Sequence, residues 1–478
     1  MSGAGLLWLS RNFRFADNPA LLAALRDGPL RAVFCLDRAT LAMGSAPRWR
    51  LECALRAFDA ELRRRGGQGL LLLRGEPEEL LPELMRRSGA PRVHQADWPE
   101  PAMRALQERV AAALGGALVL HPGHLLVHPA ALRTGQGGVY RVWSPFARAL
   151  RALGPDRPAP PAPNPLTMAA PLAGGDLPIL DLDDLNLAPD LHSGRAVLER
   201  FALPAGEAAA LARLDDFLDR AGDYARLRDR PDLDATSGLS EALALGEISP
   251  RSIWQIARAR ASSEPALAEG IEKFLSELIW REFAWHLLID FPRMDRAPWR
   301  AEWSDFPWQG HGPAFDAWQQ GRTGVALVDA GLREMRVTGR MHNRVRMVVA
   351  SWLTKHVLTD WRLGLAHFQD SLTDWDPASN AMNWQWVAGC GPDAAPYFRV
   401  FNPLRQAEQF DPDGRYRKTW LPQGGTADSP QARAYLETLP PDWQLARNWR
   451  PAAPELIAQG RQRALDAYQQ FRDRLPAG

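Results

Sequence analysis

The sequence predicts an α/β domain on a five-stranded, parallel, doubly wound sheet, followed by a large all-helical domain. Three observations carry this expectation. Short apolar runs alternate with helical periodicity through the first 125 residues. The proline-rich stretch GPDRPAPPAPNP at 154–165 then breaks the pattern. Beyond residue 195 the apolar positions follow the 3.6-residue period of helices. A chain of 478 residues is also too long for one typical domain. The expected boundaries are 1–128 for the α/β domain, 129–195 for an interdomain linker and 196–478 for the helical domain.

The strands come first. LLWLS (6–10), RAVFCLD (31–37), GLLLLRG (69–75), RVHQAD (92–97) and ALVLHP (117–122) are nearly continuous apolar runs, as befits strands covered on both faces. Between them, 19–27, 48–65, 77–88 and 100–114 repeat apolar residues at i, i+3 and i+4. Asp17 or Asn18 caps the first helix, with Pro19 in its first turn. Gly3 and Gly5 precede the first strand, whereas phosphate-binding glycines must follow it, and no Walker motif occurs. The sheet therefore reads as a scaffold or a minor-ligand site. His121, His124 and His128 in HPGHLLVH lack a carboxylate at helical spacing and read as loop histidines, not metal ligands. In the helical domain the long periodic stretches are 205–228, 265–290, 324–337 and 340–358.

Composition excludes several classes. A net charge of +1 gives no global attraction to nucleic acid, so such binding needs a local basic patch. Cys35, Cys53 and Cys390 are too scattered for a disulfide framework, a zinc ribbon or an iron–sulfur cluster. No run approaches the ~20 apolar residues that span a bilayer. MSGAGLLWLSRNFR has too short an apolar run for a signal peptide. A cytoplasmic protein without membrane attachment is expected. The outlier is tryptophan: 19, of which all but three follow residue 140, against 6 tyrosines.

Three of those indoles share DWDPASNAMNWQWVAG (374–389) with two acids and three amides. Such a lining suits something large, flat and polar-edged. In SELIWREFAWHLL (276–288), Glu277, Trp280 and Arg281 share a helix face that Trp285 and His286 extend. An intrahelical Glu277–Arg281 pair beside a packed indole would explain the same spacing. In TGRMHNRVRMVVASWLTKH (338–356), Arg344 and Arg346 point about 200° apart, with Asn343 and Met347 between them. A solvated basic face accounts for Arg333, Arg336, Arg340 and Arg344 but not for Arg346 among its apolar neighbours. A buried Arg346 needs an anionic partner, and Asp374 and Asp376 are candidates. In TSGLS (236–240), Ser240 reads as a helix cap. Thr236 and Ser237, with Gly238 allowing close approach, could bind a phosphate.

These motifs resemble the photolyase/cryptochrome family. YARLRDRP, TSGLS, ISPR, ELIWREF, GRTG and VDAG, TGRMHNRVRM, DWRLG and WQWVAGCGPDAAPYFRVFNP keep that family's order and spacing from about residue 6 to residue 470. The likeness is greatest to the bacterial, class I-like enzymes that repair cyclobutane pyrimidine dimers. It implies a folded-back FAD in the helical domain and a lyase activity that breaks carbon–carbon bonds with light. Tyr224, Thr236, Ser237, Gly238, Leu239 and Ser240 would surround the FAD phosphates. Arg281, Asn343, Arg346, Asp374, Asp376 and Asn380 would surround its isoalloxazine and ribityl groups, with Asn380 facing N5. Glu277, Trp280, Asn343, Met347 and Trp386 would receive a flipped-out pyrimidine pair. Arg228, Arg344 and Arg399 would hold DNA phosphates, and Trp384, Trp361 and Trp308 would form the chain that reduces resting flavin.

The implied partner is UV-damaged DNA and the implied state a monomer. The stretch DWPEPAM (97–103) lacks the Asn-Glu pair of folate-binding relatives, which leaves a deazaflavin, another chromophore or none as the antenna. LSRNFRFADN also departs from the family's usual pattern near the first strand. A blue-light receptor is the alternative from a different class; receptors often carry a long tail, whereas this sequence ends at YQQFRDRLPAG. A (6-4) photolyase is disfavoured because Met347 stands where histidine chemistry is expected.

Overall fold

The computed structural model describes residues 3–155, 157–172, 176–393, 399–422, 429–440, 443 and 449–475. All five expected strands form: β1 (Gly5–Leu9), β2 (Leu30–Leu36), β3 (Leu71–Arg74), β4 (Val93–Ala96) and β5 (Leu118–His121). They pair in parallel, in the order β5-β4-β1-β2-β3. A sixth strand, β6 (Ile179–Leu180), lies antiparallel against β3 at the edge. Its two residues are too short to register as a period in the sequence. The segment expected as a linker thus returns to the sheet, and Leu166, Leu185 and Leu187 join its core.

Alternation within the strands explains the apolar runs. Leu7, Leu9, Phe34 and Leu72 are buried in one apolar cluster, while Leu6, Trp8, Val33 and Leu73 are buried in another. Successive side chains of a strand point to opposite faces, so each run fills two layers at once. The helices α1 (Pro19–Asp27), α2 (Ser45–Gly66), α3 (Pro77–Ser88) and α4 (Pro101–Ala113) follow the first four strands. Asn18, not Asp17, caps α1, its side chain accepting a hydrogen bond from the Leu21 N–H at 3.1 Å. Asp17 is instead buried, accepting hydrogen bonds from Ser249 Oγ (2.6 Å) and from Arg251.

The principal later helices are α5 (Trp143–Leu153), α6 (Ser240–Leu245), α7 (Ala268–Asp290), α8 (Ala326–Thr338), α9 (Asn343–Ser351), α10 (Trp361–Ser371), α11 (Pro377–Ala388) and α12 (Pro454–Arg474). α11 packs against α7, α9 and α10. Two sequence expectations need correction here. Ser240 does not cap α6: it is the first helical residue, Leu239 is the cap position, and no side chain caps that end. The arginines of α8 do not form a solvated face. Arg333 is buried, donates to the Gly321 carbonyl (3.0 Å) and stacks over Tyr435 at 4.5 Å. Arg336 donates to the Thr438 carbonyl (2.6 Å). Spacing reports a polar side of a helix, not whether another element covers it. Among the described residues, no helix is long and apolar enough to cross a membrane.

Candidate functional site

The site is built where the segment 372–376 enters α11. Asp376 caps that helix, its Oδ1 accepting from the Ser379 N–H at 2.7 Å, and Pro377 occupies the first turn. The other oxygen, Oδ2, accepts from the indole N–H of the fully buried Trp285 on α7 (3.0 Å). Arg281, one helical turn earlier on α7, brings its Nε to 3.8 Å from the same oxygen. One turn into α11, Asn380 is buried and donates to the Asp376 carbonyl (2.9 Å). A single loop residue thus ties the two helices that carry most of the expected site.

Arg346 on α9 finds the expected acid in Asp374. Its Nη2 lies 3.0 and 2.8 Å from the two carboxylate oxygens, and its Nε donates to the Met341 carbonyl at 2.7 Å. Asp374 is buried while Arg346 keeps about a fifth of its side chain accessible (21%). The pair is therefore anchored from inside and open on one edge. Removing one partner of such a pair costs about 3–5 kcal/mol when fully buried, and less here because of that open edge.

Arg344 departs from its expected place at the surface. It is half-buried, donates to Asp229 (2.7 Å), lies over the Phe410 ring at 4.5 Å and reaches 3.7 Å from Met347 Sδ. Glu277 and Arg281 do not pair with each other. Glu277 pairs with Arg228 and with Lys273 Nζ (3.0 Å). Arg281 turns to the α/β side, donating to the His124 carbonyl (3.1 Å), to its imidazole and to Glu282 (3.1 Å). Asn343 and Arg399 are exposed, and Met347 is half-buried.

His124 lies in the loop after β5, as expected, but is closed off from solvent. It is buried, with its ring centroid 3.6 Å from that of Trp98 and 4.8 Å from that of Trp285. Burial, with Arg281 beside it, holds its pKa well below the usual histidine range. Glu282 is buried too, and burial pushes its carboxyl up to about 7, although it accepts hydrogen bonds from the Leu126 N–H (2.8 Å) and Arg281. The sequence does not single out Glu282, and it singles out His124 without its burial or its partner. The partner of an interdomain histidine lies 157 positions away, and periodicity carries no such information. Among the described residues, no His/Cys/Asp/Glu group could hold a metal ion.

The indoles divide into two sets. Trp280 is half-buried and stacks on Trp143 of α5, with centroids 4.7 Å apart and planes at 13°. Trp386 is half-buried against a different apolar cluster. Trp384 and Trp361 are buried, Trp308 half-buried. Trp384 meets Phe368 (5.0 Å) and Trp318 (6.2 Å) edge to face. Of the three, Trp384 and Trp361 both lie in the core and Trp308 is the one that reaches solvent. Tyr224 and Leu239 are buried, Thr236, Ser237 and Gly238 half-buried and Ser240 exposed, so this segment offers hydroxyls and N–H groups at an accessible edge.

The donor set suits a large, flat, anionic cofactor. Two arginines approach two acids from different helices, and Arg281 Nε is buried without a hydrogen-bond partner. An α/β sheet joined to a helical bundle with this lining fits the class of flavoproteins. The comparisons with known proteins agree. Residues 5–165 match the model described as DNA photolyase, and residues 274–470 match the FAD binding domain of DNA photolyase. The chain is 40% identical over 423 residues to the deoxyribodipyrimidine photo-lyase of Agrobacterium fabrum, covering 87% of each protein. A bacterial class III photolyase from Agrobacterium tumefaciens superposes with a TM-score of 0.86 at 36% identity, over 99% of this chain and 98% of that one. The cryptochrome of Synechocystis superposes with a TM-score of 0.82 at 27% identity, over 97% and 99%. The chain belongs to the DNA photolyase family, and its helical domain is an FAD-binding domain. The AAPYF part of its last motif lies outside the described residues.

Proposed function

We propose that this protein splits cyclobutane pyrimidine dimers in DNA by light-driven electron transfer from reduced FAD. The observation that carries the reading is the convergence of the Arg346–Asp374 pair, Asp376, Arg281 and Asn380 on one loop-to-helix junction. Arg346, Arg281, Asn343, Asp374, Asp376 and Asn380 would hold the isoalloxazine and ribityl groups, and the 236–240 segment with Tyr224 the phosphates. Reduced FAD, when bound, supplies the light-absorbing electron donor. The chain's own residues supply position and electrostatics.

Trp280 and Trp386 offer flat apolar surfaces to an extruded base pair, which costs less to flip when it is damaged and poorly stacked. Asn343 and Met347 line the entrance from α9. Glu277 can reach a base edge only if Arg228 shares or yields its carboxylate. Arg228 is then available to a backbone phosphate, as Arg344 is if it leaves Asp229. Entry of DNA thus exchanges internal ion pairs for contacts to the substrate, with Arg399 already exposed. No proton transfer by a general acid–base pair is needed.

The test is to illuminate the reduced protein with oligonucleotides carrying a cyclobutane dimer or a (6-4) photoproduct. Restoration of the cyclobutane dimer alone is expected. Restoration of the (6-4) lesion instead would overturn the assignment of Met347. Restoration of neither would favour a blue-light receptor, a reading to which the likeness to a cryptochrome lends weight.

A further inference from the structure

We infer that the α/β domain takes part in holding the flavin, through Arg50 of α2 as a positioning residue. This rests on the flavin reading above. Arg50 is fully buried, and its guanidinium crosses into the helical domain to meet two buried carboxylates. Its Nε donates to Glu241 Oε2 (3.0 Å), Nη1 to Glu247 Oε1 (3.0 Å) and Nη2 to Glu247 Oε2 (2.5 Å). Burial disfavours the charge, but the two carboxylates more than offset this, so Arg50 is held ionised.

The two acids lead to different parts of the site. Glu241 is the second residue of α6, directly after the 236–240 segment assigned to the phosphates. Its Oε1 lies 2.6 Å from Thr373 Oγ1. Thr373 is buried and precedes Asp374, the partner of Arg346, with Asp376 two residues further on. Glu247 in turn accepts from the Gly206 N–H (2.8 Å). One arginine of the α/β domain therefore fixes, through one carboxylate, both the segment before α6 and the segment before α11.

Two features argue that the link positions these segments and does more than fill space. The Thr373 hydroxyl has one proton and two acceptors in reach, the Gly339 carbonyl (2.9 Å) and the closer Glu241 carboxylate. The Thr373 N–H separately donates to the Gly339 carbonyl (2.8 Å), so the segment keeps one anchor when the hydroxyl is removed. The one excess negative charge of the cluster, two carboxylates against one guanidinium, is met by Arg340, whose Nε is 4.0 Å from Glu241 Oε1. Loosening the chain Arg50–Glu241–Thr373 should free the Asp374 segment without dismantling either core.

The test measures the rate at which FAD leaves the purified holoprotein on dilution into FAD-free buffer, read by recovery of flavin fluorescence, alongside the thermal unfolding midpoint. Thr373→Val is expected to speed release about tenfold to a hundredfold, the span of one hydrogen bond to a buried carboxylate. Thr373→Ser, which keeps the hydroxyl, should restore the wild-type rate. Arg50→Met should exceed Thr373→Val. If Arg50→Met does not fold, the Val and Ser pair still decides. Release from Thr373→Val at the wild-type rate, or release that merely tracks unfolding in every variant, overturns the inference. A wild-type protein that retains no FAD would instead defeat the flavin reading itself.

Discussion

Gly364 sits on α10 one turn after Trp361, and the inner indole of the expected electron chain rests on it. A Cβ built at Gly364 would lie 2.1 Å from Trp384 Cη2, 2.5 Å from its Cζ3 and 2.7 Å from Leu353 Cδ2. Ordinary contact begins near 3.4 Å, so in Gly364→Ala the ring must retreat by about 1.3 Å or more. It has little room. Phe368 and Trp318 stand against it, and Trp318 is itself fully buried and bonded to the Val349 carbonyl (3.1 Å). Overpacking of this kind costs about 1–3 kcal/mol, and the better helix propensity of alanine returns at most about 1 kcal/mol. The variant should therefore melt a few degrees lower and photoreduce oxidised flavin more slowly, because Trp384 no longer holds its position. Adding Trp384→Phe should recover stability beyond the additive sum, since the smaller ring makes way for the methyl group. A Gly364→Ala protein that melts and photoreduces like the wild type would refute both the packing argument and the placement of Trp384.

Other expectations follow from the same geometry. Trp308→Phe should slow photoreduction of oxidised flavin while repair by pre-reduced enzyme is unchanged; equal photoreduction removes Trp308 from the chain. Glu282 carries a pKa raised from 4.5 to about 7 by burial, so between those values the folded protein keeps a proton that the unfolded chain has released. Stability contributed by this group falls as pH rises through that window, and Glu282→Gln should flatten the slope in urea titrations; identical slopes would contradict the assignment. Arg344→Ala should lower DNA affinity and reduce the salt slope by about one. An unchanged slope would mean that Arg344 stays on Asp229 when DNA binds.

The sequence exposed local order well and distant partners poorly. The five strands and four sheet helices were legible because both-face burial and helical faces leave periodic traces, and β6 was not because two residues carry no period. Arg346 could be singled out, since a cation among VRMVVASW must be compensated, and Asp374 met it. The same logic failed for Arg333 and Arg344, whose polar neighbours suggested solvent, while tertiary packing brought Tyr435 over one and Asp229 to the other. Ser240 looked like a cap because its residue type fits, yet the helix begins on it. The contacts of His124, Glu282 and Arg50 were invisible for one reason: each acts across the interface between the α/β and helical parts. The family motifs went further than periodicity because they record which distant segments meet.

The central claim is a flavin bound in the helical domain where Arg346, Asp374 and Asn380 converge. The direct measurement is a visible absorption spectrum of the purified chain after incubation with FAD and removal of excess. One flavin per chain is expected for the wild type, with a marked loss on Asp374→Ala. A chain that stays colourless, or that binds flavin equally well without Asp374, would contradict it.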